Sequence, residues 1–242
     1  VGMLDATLRN MAASNWVSGR QFTGLDFDGL DDHLTVTGNL AVTLGDTASL
    51  SCWLRTTATG AASSASAPGL AGVAGGGIQW AWLDDGGRIA LAVDGVPVVR
   101  SGDAVNDGEW HHVVLTRDAG TGVAQVFVDG ALSQTATGAA GVKATTFSSL
   151  GRIEGGGYFR GRLDQVHLFN TVIGTARVAQ LRVNHAPKCW ALTTEGVNSR
   201  PFTTASVFAR TYDVERDPVA VVRWTQPAHG TAAHNGDGAF TY

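Results

Sequence analysis

The chain has 242 residues, with 17 basic side chains against 21 acidic ones for a net charge of −4, and it is 44% hydrophobic but only 16% charged. That length holds one large domain, or one domain plus a smaller one, and either buries a real core. Two lysines and no basic run leave out the phosphate-neutralising surface that a nucleic-acid partner requires. No apolar run approaches the ~20 residues that cross a bilayer, and no basic-then-apolar segment opens the chain, so no membrane span is expected.

The composition of 32 glycines and 6 prolines, with many Thr and Val, predicts short strands joined by tight turns and little helix. In chain order, strands are expected at 25–27, 33–36, 49–55, 78–83, 89–93, 110–117, 123–128 and 162–169. Asp-Gly pairs at 28–29, 85–86, 94–95, 107–108, 129–130 and 237–238 mark turns, because glycine tolerates the positive φ that hairpin turns demand. Residues 59–69, rich in Ala, Ser and Gly, read as an exposed loop. Residues 175–182 carry Val178 and Leu181 on one helical face and predict a short closing helix. Pro187 then breaks the pattern, which places a domain boundary between 1–183 and 184–242. The spacing of strands and turns predicts a sandwich or barrel of antiparallel sheets. Cys52 alternates with Leu50 and Leu54 and reads as a small core residue. Cys52 and Cys189 show no metal-ligand spacing, and a long-range disulfide between them stays open.

Five local patterns occur in a fixed order. They are Asp26-Phe27-Asp28-Gly29-Leu30-Asp31-Asp32-His33-Leu34, the run from Ser49 to Leu54 around a Trp, and Glu109-Trp110-His111-His112-Val113-Val114. Val126-Phe127-Val128-Asp129-Gly130 and Gly161-Arg162-Leu163-Asp164-Gln165-Val166 complete the series. Together they resemble the laminin G-like, concanavalin A-like jelly-roll family over residues 1–183. The chain starts close to the first strand, where relatives have a polar approach, which implies a processed or trimmed end. The remainder, with Asn184-His185-Ala186-Pro187, Asp213-Val214-Glu215-Arg216-Asp217-Pro218 and Asp237-Gly238-Ala239-Phe240-Thr241-Tyr242, resembles a cadherin-like, immunoglobulin-type repeat of large bacterial surface proteins. It falls well short of the roughly 100 residues of an immunoglobulin-type sandwich. The resemblances therefore imply an all-β chain, a two-sheet antiparallel jelly roll followed by a smaller, incomplete immunoglobulin-like domain.

Catalysis by a retaining glycosidase needs two carboxyl groups about 5–5.5 Å apart. Glu109, Glu154 and Glu195 have no same-face acidic partner, and Glu-x-Asp-x-x-Glu, nucleophile-elbow, zinc-protease and phosphate-loop patterns are absent. A non-enzyme is expected. Oxygen-rich turns suit calcium instead. The resemblance implies that Asp28, the Gly29 carbonyl and Asp164 can meet around a structural calcium. The alternative is that Asp28 caps its own turn while Asp164 pairs with Arg160 or Arg162. Asp213, Glu215 and Asp217 can converge if their segment is a loop, and Glu195 matches the repeat family's further ligand; a solvated acidic loop is the alternative. His111 and His112 point to opposite faces of an extended run and cannot chelate one ion together. Trp80 and Trp82, spaced to share a strand face, and Tyr158 with Phe159 are candidate sugar-stacking rings, with core packing as the other role.

The expectation is a non-catalytic, secreted or cell-surface recognition module of a bacterium, binding a glycan or surface protein with structural calcium. The alternative is a spacer, or a subunit that self-associates when a neighbouring chain donates a strand to the incomplete domain. A polysaccharide hydrolase is the third reading.

Overall fold

The computed structural model describes residues 5–21, 23–37, 45–143, 147–183, 188–194, 200–212, 219–221 and 223–242. The chain divides into two compact units, Val1–Arg182 and Val183–Tyr242.

The first unit is the expected antiparallel jelly roll. Its larger layer has seven strands in the order Ala131–Thr137, Val123–Val128, Trp110–Arg117, Ala48–Arg55, Arg160–Phe169, Thr23–Asp28 and Trp16–Ser18. The facing layer contains a four-stranded sheet, Val96–Arg100, Ile89–Val93, Gly76–Leu83 and Ala71–Val73, and a three-stranded one, Asp5–Arg9, His33–Thr37 and Ser149–Leu150. Backbone bonds from Gly151 N–H to Leu70 O (2.9 Å) and from Glu154 N–H to Gly72 O (2.8 Å) stitch the two together. Between the layers Leu50, Cys52, Leu54, Val113, Leu115 and Leu163 pack against Leu70, Ile78, Trp80, Leu91 and Val93. Each such aliphatic side chain taken wholly out of water stabilises the fold by about 1.5–3 kcal/mol. Cys52 is a free thiol in this core, as its alternation with leucines implies, and burial pushes its pKa up; Cys189 is a free, exposed thiol.

All eight expected strands are present, three of them with the expected bounds, and Thr175–Arg182 is helical. The Asp94-Gly95 and Asp129-Gly130 turns place both residues at positive φ (51° and 79°, 51° and 84°), the two-residue hairpin geometry that matches strand twist. Other strands escape the sequence reading, among them Asp5–Arg9, Trp16–Ser18, Ala71–Val73 and two edge strands, Val96–Arg100 and Ala131–Thr137. Val96–Arg100 contains Pro97 at a bulge and lies on the edge of its sheet, where a missing N–H is tolerated. Ala131–Thr137 is polar and mostly exposed, and it forms one edge of the larger layer. The expected exposed loop holds over much of 59–67, with residues 59, 62, 63, 65 and 66 exposed, but Ser64, Ala67 and Gly69 are buried, Pro68–Gly69 pairs in parallel with Gly157–Tyr158, and Ala67 packs with Trp82, Ala90 and Ala92. Small residues there admit close approach of a second chain segment, which composition alone reads as exposure.

The second unit contains two antiparallel ladders of two strands each, Lys188–Cys189 with Thr211–Tyr212 and Ala233–His234 with Phe240–Thr241. Trp224, His234 and Phe240 form a ring cluster with centroids 5.1–5.7 Å apart. Among the described residues no helix is long and apolar enough to cross a membrane.

Candidate functional site

Alternation along Ala48–Arg55 sends Leu50, Cys52 and Leu54 inward and Ser49, Ser51, Trp53 and Arg55 to the outer face of the seven-stranded layer. Sheet register extends this outer face into rows. One row, with Val114 and Phe127, lies beneath Ile173 and Val178 at the closing helix. Ser49 Oγ anchors that cover, donating to Thr171 O (2.7 Å) and accepting from Ile173 N–H (3.1 Å).

The next row runs Asp164, Trp53, His112 and is covered by residues 19–21. Asp164 Oδ2 accepts from Gln21 N–H and Oδ1 from Gln165 N–H, both at 2.8 Å. Arg20 lies 4.7 Å above the Trp53 ring, and a Cβ on Gly19 would stand 2.5 Å from Asp164 Oδ2, so the cover requires glycine there. His112 is 1% exposed; its Nε2 meets Ser51 Oγ at 3.0 Å, and burial pushes its pKa down to about 4. Burial pushes the Asp164 carboxyl up.

The outermost row, Asp26, Arg162, Arg55, Trp110, is open. Asp26, Arg162 and Arg55 of this row, with Asp28 opposite Arg160 one step further on, floor a cleft of ≈ 600 Å³ whose walls include Ser14, Asn15, Thr57 and Gly108. Several of its groups have partners. Arg162 Nε lies 3.5 Å from Asp26 Oδ2, Arg55 Nε donates to Gly108 O, and Thr56 Oγ1 donates to Arg160 O (2.6 Å). Asn15 Nδ2 donates to Asp26 O (2.8 Å) and to Asp32 Oδ2 (3.0 Å). At the rim, Asp28 Oδ1 accepts from the N–H groups of Leu30 (2.8 Å), Asp31 (3.3 Å) and Asp32 (3.5 Å), and these bonds, Leu30's foremost, hold its pKa down. Burial drives Asp32 the other way, helped by its acidic neighbours. Gly29 sits at φ 79° with Arg160 Cβ 2.6 Å from where its own Cβ would be, so the turn closes against the strand only with glycine.

The expected meeting of Asp28 and Asp164 is corrected. Both lie on the outer face, but Asp28 pairs with Arg160 in register and Asp164 is four residues further along that strand, about 13 Å away at ~3.3 Å per residue. Asp28 instead groups with Asp31 and Asp32, with one carboxylate oxygen from each lying within 4.8 Å of the others. No Asp164 ion pair to Arg160 or Arg162 forms among the described residues; backbone N–H groups hold it instead. The stacking expectation is also corrected: Trp80, Trp82 and Phe159 are 0% exposed, so their faces cannot receive a sugar. A bulge with Ala81 at φ 54° breaks the period, sending Trp80 into the main core and Trp82 into a separate cluster. Phe159 meets Phe27 edge-on at 6.1 Å, and Tyr158, half-buried, tilts against His33 at 5.9 Å. Glu195, Asp213, Glu215 and Asp217 lie outside the described residues. The arginines at 55, 160 and 162 were missed; period-2 reading puts 160 and 162 on one face, but sheet order is needed to bring Arg55 beside them.

A family model described as the concanavalin A-like lectin/glucanases superfamily matches residues 27–179. No curated protein sequence matches the chain. Among solved structures, the binding domain of Paraclostridial Mosquitocidal Protein 1 is similar at a TM-score of 0.53 and 12% identity, covering 74% of this chain and 47% of that one. Trypanosoma rangeli sialidase in complex with the inhibitor DANA is similar at a TM-score of 0.51 and 17% identity, covering 75% of this chain. The chain spans only 29% of that sialidase. Identities this low establish a shared fold, whereas the family match covers more than half of the chain. Through that match, the chain belongs to the laminin G-like group of the concanavalin A-like lectin/glucanases superfamily.

Proposed function

We propose that the first unit is a non-catalytic recognition module that holds a glycan in the cleft on the outer face of its seven-stranded layer. The observation that carries this reading is the cleft itself: ≈ 600 Å³ of polar, strand-floored space in which Arg55 and Thr56 are held by backbone carbonyls and Arg162 lies against Asp26. That volume is in the range of small-ligand sites, and prefixed groups reduce the ordering cost of binding. The carboxylates at the cleft favour holding over hydrolysis. Asp26 is paired with Arg162 and Asp28 is held ionised by its turn, whereas glycoside cleavage requires a carboxylic acid kept protonated at working pH.

Calcium belongs to the proposal. Asp28, Asp31 and Asp32 offer three converging carboxylates, a donor set suited to a hard cation, and Asp28 Oδ2 and Asp32 Oδ1 accept no hydrogen bond among the described residues. These residues, rather than Asp164, would hold the ion, which would neutralise their repulsion and brace the rim. The second unit we read as a cadherin-like repeat of a secreted or surface-displayed bacterial protein, on the motifs its sequence carries. The test is a glycan array probed with and without chelator, together with a reducing-end assay on mixed β-glucans. Binding that weakens in chelator, without released reducing ends, is the expected result. Silence on the array in both conditions would favour the spacer reading, and reducing ends would favour a hydrolase.

A further inference from the structure

We infer that the ligand of this cleft is an anionic glycan, one whose carboxylate or sulfate is gripped by Arg55 and Arg160 beside the Arg162–Asp26 pair. The inference rests on the reading that the cleft holds a glycan and specifies what kind. Three arginines line it against two aspartates, with Asp31 and Asp32 beside Asp28 at the rim, in a chain of net charge −4. Arg162 is matched by Asp26 at 3.5 Å. Arg55 and Arg160, both exposed, form no ion pair among the described residues. Asp28, the cross-strand neighbour of Arg160, turns one carboxylate oxygen into its own turn. The Arg55 guanidinium is oriented by its Nε bond to Gly108 O, which leaves both terminal amino groups to grip a ligand.

The aromatic inventory points the same way. A neutral sugar is usually held by stacking its CH face on an exposed ring. The aromatic side chain in the lining is Phe27, 2% exposed and packed on Phe159, while Trp110, next to Arg55 in the row, does not line the cleft. What the cleft offers instead is guanidinium, whose planar fork matches carboxylate and sulfate oxygens in paired hydrogen bonds.

The whole chain is titrated calorimetrically with trigalacturonic acid, with its carboxyl-reduced neutral counterpart and with a sulfated disaccharide. Arg55→Gln and Arg160→Gln are compared, each with its melting temperature as a fold control. The expected result is at least tenfold preference for an acidic probe over the neutral one, falling as salt rises. Each variant should lose about tenfold toward the acidic probe, the scale of one charge-assisted contact, and distinctly less toward the neutral one. The relative strength of the uronate and the sulfated probe identifies the anion. Neutral binding equal to or tighter than acidic binding, or variants that weaken both alike, would overturn the inference and leave the cleft reading standing. Silence toward all three probes also overturns it, and a silent glycan array would take the cleft reading with it.

Discussion

Acid should loosen the jelly roll through His112, and the size of the effect follows from its burial. The imidazole is 1% exposed, lies 5.3 Å from the Trp53 ring, and offers Nε2 to Ser51 while Nδ1 has no partner among the described residues. Desolvation brings its pKa from the ordinary 6.5 to about 4, with His167 and Arg182 adding to the push and Asp129 opposing it. The unfolded chain therefore takes up a proton below pH 6.5 that the folded chain refuses until about pH 4. Stability from this group is complete above pH 6.5 and falls as pH drops through that window, at roughly 1.4 kcal/mol per pH unit, or about 3 kcal/mol in total. In a unit of this size, that is a melting-temperature difference of about 6–12 °C. Other groups titrate nearby. Half-buried His167 acts in the same direction, whereas His111, whose burial is outweighed by bonds to Asp129 and Asp107, acts oppositely, as do the raised carboxyls of Asp32 and Asp164. The assay is consequently a difference: thermal melts at pH 7.5 and pH 4.0 of the parent chain and of His112→Gln, which retains an amide for Ser51. The variant should lose about 3 kcal/mol less on acidification than the parent. Equal losses in the two proteins would refute the assignment of a neutral, buried imidazole.

Phe27→Ala should destabilise the first unit by about 3–5 kcal/mol, since it removes a side chain that is 2% exposed and wedged between Phe159 and the backbone at Gly151; chemical denaturation measures it. Gly161→Ala should cost roughly 2 kcal/mol or more and weaken glycan binding, because φ is 135° and the new methyl would stand 2.5 Å from Arg55 O; a melt and an array measurement together check it. Calcium should raise the melting temperature of the parent by several degrees on the scale of a few kcal/mol of linked binding. Asp31→Asn should abolish that rise while melting no lower than the parent in chelator, because one of three crowded charges is gone. A midpoint indifferent to chelator in the parent would remove the calcium from the account.

The sequence was informative where one residue's environment depends on its own strand. Runs such as Ser49 to Leu54, buried on both faces, and Asp-Gly corners with positive φ announce themselves locally. The edge strands Val96–Arg100 and Ala131–Thr137 did not, because an edge strand owes its place to a neighbour's ladder rather than to apolar alternation. The tryptophans show the limit of period-2 reasoning: one left-handed alanine between them sends two rings of equal spacing into different clusters. The site was legible in pieces. Asp28 and Gly29 stand out in the sequence as an oxygen-rich turn, and Asp31 and Asp32 belong to the same motif. Pairing Asp28 with Asp164 required knowing how far along a strand each lies. The arginine row emerges only when Thr23–Asp28, Arg160–Phe169 and Ala48–Arg55 are set side by side in register.

Recognition on the outer face of the larger layer is tested most directly by hydrogen–deuterium exchange on the whole chain, with and without the tightest-binding array glycan. The account predicts slowed exchange at 14–15, 26–28, 55–57, 108 and 160–162, the segments that line the cleft, with the far side of the sandwich unchanged. Protection confined to the 59–69 segment, the Tyr158 turn or the second unit, with the cleft unaltered, would contradict it.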